Sequence, residues 1–444
     1  MKKHIGLMLT MVAASPLAMA DWVDNAVQNT EKDTIQLYQR IHQNPELGNM
    51  EFKTSQLVQQ ELQSYGIEVK TGFAKTGVIG ILKGTKPGPV MALRADMDAL
   101  PMEEKSGLPF ASKVRAIYQG SETAVAHACG HDAHTAMLLS AAKVLAKNRD
   151  KINGTVVFIF QPAEEGGADI DNFKQGDQVG SRKLIADGAL KNPKPEVIFG
   201  LHVMAGMPSG HLYYKSGAAL NSADSIRITL NGQQVHGSMP WNGRDAIVAA
   251  AQIINNMQTM VSRRADLSKG MGVVSIGQIQ AGTSGNIIPE KVSMIGTLRS
   301  NHEDIRNSMQ KHLPHMIEST ADANEVKAQV EISPYAPVTM NDKTLTELIA
   351  PALQKAAGSG KAHVLEKNLS PSEDFAYYGK LMPALFVFLG ATPEQQDMST
   401  AAPNHNPKFV VDQNALKTGV KSHVQFVLDY PNIASKVQQA WKAN

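Results

Sequence analysis

Three continuous apolar runs stand out in the pattern of apolar and polar positions along the chain. They occupy residues 154–160, 196–202 and 384–389. Runs of this kind are typical of strands that are buried on both faces. Two shorter apolar runs, 77–82 and 89–95, are bounded by Gly and Pro and predict two further strands. We expect all five to belong to one buried sheet.

Helical spacing of apolar residues separates these strands. Residues 132–147 carry apolar side chains along one helical face, and residues 30–65 do the same apart from a break at Asn44 and Pro45. Because strands and helices alternate, the sequence predicts an α/β domain built on a mixed, mostly parallel sheet.

The middle of the chain has a different pattern. Ile226, Ile228 and Leu230 alternate with polar residues, as in a strand with one face in water. The elements predicted after it are a helix at 243–264, strands at 272–280 and 290–299, a helix at 303–318 and a strand at 326–332. This β-α-β-β-α-β order is that of the α+β split-βαβ, or ferredoxin-like, sandwich. Since buried strands return after it, we expect a small domain at 219–333, inserted between the 21–218 and 334–444 parts of a large domain.

Composition and charge narrow the class of protein. A chain of 444 residues, 43% of them hydrophobic, can form two or three domains that each bury a core. The ordinary hydrophobic and charged fractions exclude a disordered chain or a coiled coil. Lys and Arg number 43 against 41 Asp and Glu, so we expect neither nucleic acid nor an anionic membrane as a partner.

The N-terminus has the three parts of a secretory signal peptide. Residues 1–20 begin with Lys2 and Lys3, continue with a short apolar run and end in Ala-Met-Ala. The apolar run is too short to anchor the chain in a bilayer. We therefore expect an exported protein that begins near Asp21, in a bacterial periplasm and away from the membrane. Cys129 is the single cysteine, so no intramolecular disulfide forms in that oxidising compartment.

Residues with metal-binding side chains collect at the ends of the predicted strands and before the 132–147 helix. They are Asp96, Asp98, Cys129, His131, Glu164, Glu165, His202 and His405. In open α/β sheets, ligands bind outside the carboxyl ends of the strands. Each residue alone has a structural explanation, such as a turn or a hydrogen-bonded histidine. Together, a thiol, imidazoles and carboxylates favour a cation such as zinc, with manganese or cobalt as alternatives.

The adjacent residues Glu164 and Glu165 predict two different roles for their carboxylates. Successive side chains at a strand end point to different sides, so one carboxylate can bind metal while the other stays free as a base. Two metal ions and a base are sufficient for amide hydrolysis by water. The sequence contains no Gly-x-Ser-x-Gly elbow, phosphate-binding loop or dinucleotide fingerprint.

A series of longer motifs resembles the M20 metallopeptidases, and most closely their amidohydrolase branch of aminoacylases and hippurate hydrolases. The motifs are Ala-Asp-Met-Asp-Ala-Leu-Pro at 95–101, His-Ala-Cys-Gly-His-Asp at 127–132, Gln-Pro-Ala-Glu-Glu at 161–165, Gly-Leu-His at 200–202, His-Gly-Ser-Met-Pro at 236–240, Asn-Ile-Ile-Pro at 286–289, Gly-Thr-Leu-Arg at 296–299, Ser-Glu-Asp-Phe at 372–375 and His-Asn-Pro-Lys-Phe at 405–409. The resemblance extends from about residue 35 to about residue 420.

The resemblance implies roles for individual residues of the large, catalytic domain. Two divalent ions (zinc, manganese or cobalt) would be bound by Cys129, His131, Glu165, His202 and His405. Glu164 would be the general base, and Asp98 would orient a metal ligand or support the site from behind it. Asp96 is a weaker candidate for a ligand.

The resemblance also implies that residues 219–333 form a lid, and because the edge strands of such a lid can pair across a two-fold axis, we expect a homodimer. His236 would stabilise the oxyanion, in some relatives from the partner subunit. Asn286 and Arg299 would hold the substrate's carboxylate, for which a guanidinium is well suited. Structural roles, as a turn amide and an exposed strand cation, remain the alternatives for these two.

The function that the residues and the resemblance together imply is hydrolysis of the amide bond in N-acyl amino acids, a reaction of the aminoacylase or hippurate-hydrolase type. A dipeptidase or carboxypeptidase of the same family is the alternative. A periplasmic binding protein without turnover is less consistent with an intact Glu164. Two segments, 114–126 and 169–182, are longer than the resemblance implies, and both flank the predicted metal loops. We expect them to shape the wall of the pocket.

Overall fold

A computed structural model describes residues 20–171, 173–174 and 178–443. Residues 1–19, most of the predicted signal peptide, lie outside the described residues, and so do 172 and 175–177 of the 169–182 segment. Among the described residues, no helix combines the length and apolar character needed to cross a membrane.

The described residues form both α-helices and β-strands. The helices are α1 Ala20–Gln28, α2 Glu31–Gln43, α3 Phe52–Ser64, α4 His131–Lys147, α5 Gly180–Ala186, α6 Ala246–Thr259, α7 Glu303–Asp322, α8 Lys343–Ala357, α9 Ala376–Gly379, α10 Leu416–Asp429 and α11 Ala434–Ala443. The strands are β1 Glu68–Phe73, β2 Gly77–Lys83, β3 Lys86–Asp96, β4 Arg115–Tyr118, β5 Ser121–Ala124, β6 Asn153–Gln161, β7 Val197–Pro208, β8 Leu212–Tyr214, β9 Gly217–Leu220, β10 Ser222–Asn231, β11 Val235–His236, β12 Gly272–Ala281, β13 Ile287–Ile288, β14 Lys291–Ser300, β15 Lys327–Ala336, β16 Thr339–Asn341, β17 Ala362–Val364 and β18 Ala384–Thr392.

Eight strands form the main sheet, in the order β1-β2-β6-β3-β7-β18-β8-β17. The central strands β6, β3, β7 and β18 run parallel to one another. Their side chains alternate between two cores: Phe158 and Phe160 pack on one face, and Val157 and Ile159 on the other. Burial on both faces confirms the mixed, mostly parallel α/β sheet that the apolar runs predict.

A second, four-stranded sheet lies in the middle of the chain. Its order is β12-β14-β10-β15, every neighbouring pair is antiparallel, and α6 and α7 pack against it. Ile226, Ile228 and Leu230 point into its separate hydrophobic core. The predicted β-α-β-β-α-β order is therefore present. The division into domains stays a prediction, and its boundary at residue 333 falls inside β15.

Some local details differ from the predictions. The predicted 243–264 helix begins only at Ala246, because the Asp245 carboxylate accepts hydrogen bonds from the first turn. Its last turn widens into a π-helix at Met260–Arg264. The long segment at 114–126 contains the hairpin of β4 and β5, whose turn is formed by Gln119 and Gly120, both at positive φ.

Candidate metal centre

The metal-binding side chains meet at one edge of the main sheet, as the strand order requires. Asp96 is the last residue of β3, Glu164 and Glu165 follow β6, and His405 lies in the loop after β18. The sequence predicts that the strand carrying His202 ends at this residue, but β7 continues to Pro208. These four strands are parallel neighbours, so their side chains project into the same space.

The turn before α4 brings Cys129 and His131 together and requires glycine between them. Gly130 has φ of +101°, a region that other residues rarely adopt. A Cβ atom at this position would lie 2.1 Å from Cγ2 of Val203 in β7. The glycine therefore lets the turn pack directly against the strand that carries His202.

Five side chains form the centre of the cluster. Cys129 Sγ lies 3.4 Å from His202 Nε2 and 3.2 Å from His405 Nε2. His405 Nε2 lies 2.9 Å from Glu165 Oε1. Cys129 belongs to two groups of closely spaced donor atoms, one with His131 and His202 and the other with Glu165 and His405. The thiol thus stands between two sets of donors.

The hydrogen bonds of the histidines leave the inward nitrogens free to bind a cation. His131 Nδ1 lies 2.9 Å from the carbonyl oxygen of Asp98, and His202 Nδ1 lies 2.8 Å from that of Val203. Because a carbonyl oxygen only accepts, each Nδ1 donates a proton to it, and this leaves Nε2 as the nitrogen available to a cation. His131 Nε2 is buried and has no hydrogen-bond partner among the described residues. This arrangement is typical of metal-binding histidines.

Asp98, to which the resemblance gives a role in orienting or supporting the metal ligands, contacts two of the candidate ligands. Its Oδ1 lies 3.2 Å from His131 Nδ1, and its Oδ2 accepts a 2.8 Å hydrogen bond from the backbone N–H of Glu165. One carboxylate therefore orients two candidate ligands at once.

The charges of the cluster also fit a cation. Hydrogen bonds to the Cys129 thiol and the Glu165 carboxylate raise the pKa of His405 to about 11. Burial raises the pKa of Cys129, which favours the protonated thiol when no metal ion is bound. A divalent ion would replace these protons, because thiolate, neutral imidazole and carboxylate are the forms that bind metal.

Asp96 and His134 lie behind the cluster. His134 Nδ1 lies 2.6 Å from Asp96 Oδ1, and His134 Nε2 accepts a 2.8 Å hydrogen bond from the backbone N–H of Val203. Both ring nitrogens are therefore occupied, and the pair fixes the strand segment next to His202. Asp96 Oδ2 is 3.8 Å from His131 Nε2, too far for a hydrogen bond.

Glu164 is buried beside the cluster, with only 4% of its surface exposed. Burial and the negative charges of Glu373 and Glu165 raise its pKa well above the usual range for glutamate. Its Oε1 accepts a 2.9 Å hydrogen bond from the hydroxyl of Tyr335. Ala163, the residue before it, has a positive φ of +51°, a strained conformation that turns the chain sharply at this point.

Arg94 is the centre of a buried network of ion pairs and hydrogen bonds next to the candidate site. The guanidinium donates to Asp96 at 2.7 Å, to Glu373 at 2.9 Å and to Asp374 at 3.1 Å. It also donates to Gln161 Oε1 at 3.0 Å. The sequence motifs do not predict this role for Arg94. The feature of the sequence that could have indicated this role is the position of Arg94 inside an apolar strand, because a buried arginine needs hydrogen-bond acceptors or carboxylates around it.

The cluster opens into a cavity of about 460 Å³, which Arg299 of the small sheet also lines. Met204, Leu220 and Phe388 form an apolar wall of the same cavity. The cavity has both a cation and an apolar surface, as a small amphipathic substrate requires.

His236 and Asn286 are not brought to the cluster. His236 is in β11, and Asn286 directly precedes β13, the strand that pairs with it; the backbone N–H of Gly237 donates to the carbonyl of Asn286. Both residues are exposed, and neither lines the cavity.

The fold and the donor cluster are those of a metal-dependent hydrolase of amide bonds. Residues 92–429 match the profile of peptidase family M20/M25/M40, and this match covers more than half of the chain. The chain therefore belongs to that family, which confirms the resemblance and the class of enzyme predicted from the motifs.

Relatives of known name cover almost the whole chain. An N-acetyl-L-cysteine deacetylase of Bacillus subtilis is 36% identical over 387 residues, which cover 87% of this chain and 85% of that protein. Thermostable carboxypeptidase 2 of Saccharolobus solfataricus is 34% identical over 416 residues, covering 93% and 99%. The crystal structure of a dinuclear metal-binding M20 peptidase from Bacillus subtilis is similar with a TM-score of 0.72 at 32% identity, covering 91% and 99%.

Proposed function

We propose that this chain hydrolyses the amide bond of N-acyl amino acids, with Glu164 as the general base. The observation that carries the proposal is the position of Glu164: its carboxylate is buried at the cavity, beside the donor cluster, and is bound by a hydroxyl instead of a cationic side chain. Cys129, His131, Glu165, His202 and His405 would hold two divalent ions, of zinc, manganese or cobalt.

The chain's own residues would handle the proton and the substrate. When bound, the ions would supply an acidic water and polarise the amide carbonyl. Glu164 would take a proton from the attacking water and deliver it to the amide nitrogen as the C–N bond breaks. Arg299 would pair with the carboxylate of the amino acid.

The partners of the cavity's carboxylates favour an N-acylated substrate over a dipeptide. Glu164 is bound by Tyr335, Glu165 by His405, and Glu373 by Arg94. A dipeptide would bring a free ammonium group into this space, and the described cavity residues offer it no uncommitted carboxylate. An apolar acyl group would instead pack on the apolar wall.

The test is the turnover of matched substrates by protein loaded with zinc, manganese or cobalt. We expect cleavage of hippurate and N-acetylmethionine with kcat/KM at least about tenfold above that of glycylmethionine, since a buried unpaired charge is strongly rejected. Mass spectrometry of the loaded protein should find two ions per chain. Preferred cleavage of the dipeptide, or of peptides with a longer acyl side, would replace the proposal by a dipeptidase or carboxypeptidase.

We further propose export, with removal of residues 1–20. The basic start, apolar run and Ala-Met-Ala end support it. N-terminal sequencing of the protein from a bacterial periplasmic fraction should begin near Asp21, and an intact Met1 would contradict the proposal.

We also propose a homodimer formed through the small sheet and its helices, called the lid, which covers residues 222–336 in the structure against the predicted 219–333. Most of the large apolar side chains that the structure describes as exposed lie there. They are Met239, Trp241, Ile247, Val248, Leu267, Met271, Ile279 and Ile287. Strand β12 is also an edge of its sheet, and edge strands can pair across a two-fold axis. In such a dimer, His236 and Asn286 would act at the cavity of the partner subunit.

Complementation between two inactive variants tests this dimer. We expect Glu164→Ala and His236→Ala each to be inactive as homodimers. When co-expressed, they should recover roughly a quarter of wild-type activity, because half of the dimers are mixed and each mixed dimer has one complete site. Absence of recovery, together with a monomer mass by light scattering, would contradict the proposal.

A further inference from the structure

Tyr335 connects the lid directly to Glu164. It lies one residue before the end of β15, the strand through which the chain leaves the lid. Its hydroxyl donates to Glu164 Oε1 at 2.9 Å and also contacts the backbone carbonyl oxygen of Glu164. Among the described residues, the other hydrogen bond to this carboxylate is a long one of 3.4 Å from the backbone N–H of Asp374.

The register of the lid sheet places Tyr335 and Arg299 at the same end. Ala223 of the central strand β10 pairs with Arg299 on one side and with Ala336 on the other. Arg299 and Tyr335 both line the cavity. One edge of the lid therefore presents a guanidinium for the substrate and a phenol for Glu164.

We propose that Tyr335 is a positioning residue that holds the Glu164 carboxylate in place as the base, so that the base is correctly placed only when the lid is seated on the large domain. This inference rests on the proposed function of Glu164. It adds that the lid controls the base as well as the binding of substrate.

A phenol suits a carboxyl group that gains and loses a proton. When Glu164 is ionised, the hydroxyl of Tyr335 donates its proton to Oε1. When Glu164 has taken the proton of water, its carboxyl group can donate to the phenol oxygen, while the hydroxyl donates to the backbone carbonyl of Glu164. The Oε1 atom and the backbone carbonyl oxygen of Glu164 both lie within hydrogen-bond distance of the Tyr335 hydroxyl. The Glu164 side chain is therefore held both when it is ionised and when it is protonated.

Kinetics of Tyr335→Phe test the inference, because this change removes only the hydroxyl. We expect kcat on hippurate to fall by about 10–100-fold, the cost of a base misplaced by about 1 Å, with KM within about twofold of wild type. Tyr65→Phe is the matched control. It removes a 2.7 Å bond between a tyrosine hydroxyl and the Glu61 carboxylate, away from the cavity, and should leave kcat unchanged.

Other outcomes separate the alternatives. A KM effect with unchanged kcat would assign the hydroxyl to substrate binding and overturn the inference, as would a kcat equal to that of wild type. A wild-type protein that cleaves no N-acyl amino acid or peptide would overturn the proposed function itself.

The contact can also be measured without activity. Melting temperatures of metal-free Glu164→Ala, Tyr335→Phe and the double variant should show a combined loss smaller than the sum of the single losses, because both changes remove the same hydrogen bond. Additive losses would show that the two side chains do not interact, and would overturn the inference whatever the substrate.

Discussion

Replacing Glu164 by alanine is expected to lower kcat on hippurate by about 10²–10⁴-fold, the usual contribution of a general base. The methyl group cannot take the proton of the attacking water or return it to the leaving nitrogen. The five candidate metal ligands are untouched, so the metal content measured by mass spectrometry should equal that of wild type. Initial rates at saturating substrate, with metal content measured on the same sample, check this prediction.

The control is Glu290→Ala, which removes an exposed carboxylate from the lid and should retain wild-type rates. If Glu164→Ala loses metal in proportion to its loss of rate, then Glu164 is a ligand and the assignment of the base is wrong. If it keeps both metal and rate, a different group moves the proton.

Replacing Cys129 by alanine is expected to abolish metal binding more completely than any other single change in the cluster. The thiol is the one donor shared by the His131–His202 group and the Glu165–His405 group. Loss of a hydrogen-bond partner of a ligand costs roughly 10–100-fold in metal affinity, and loss of a shared ligand should cost more. Activity should fall with the metal. Zinc titration, followed by analysis of the dialysed protein, measures the effect.

A second control is needed for metal that binds to histidines outside the candidate metal centre. His363→Ala removes one member of a pair in which His211 Nδ1 lies 3.0 Å from His363 Nε2, at the far edge of the main sheet. This variant should keep the metal content of wild type. A Cys129→Ala protein that still binds two ions with unchanged affinity would show that the thiol is not a ligand.

The fold could be predicted where burial leaves a simple pattern. Most of β6, the first half of β7 and all of β18 are buried on both faces, so their sequences are almost continuously apolar. Strand β1 is half exposed and carries no such pattern, which is why Glu68–Phe73 is not predicted. The start of α6 depended on one cap, Asp245, and periodicity alone placed it three residues too early.

In the candidate site, residues that are close in sequence could likewise be predicted, whereas contacts between residues far apart in sequence could not. Cys129 and His131 share one turn, and Glu164 and Glu165 are adjacent, so short motifs are enough to identify them. The contact of Tyr335 with Glu164 joins residues 171 positions apart and depends on how the lid is seated. Two of the three carboxylate partners of Arg94, Glu373 and Asp374, likewise come from a distant segment. No pattern of spacing contains these contacts.

The position of the small sheet between β7 and β18 in the chain also affects the order in which the parts of the main sheet are made. His202 in β7 precedes the lid, whereas β18 and His405 follow it, and β18 pairs directly with β7. During synthesis on the ribosome, β7 therefore keeps one unpaired edge until more than a hundred further residues have emerged. The nascent chain can fold its lid in that interval, since the lid has its own core. Metal uptake at the complete site must wait for the last strand, which makes it a late event in the maturation of the protein.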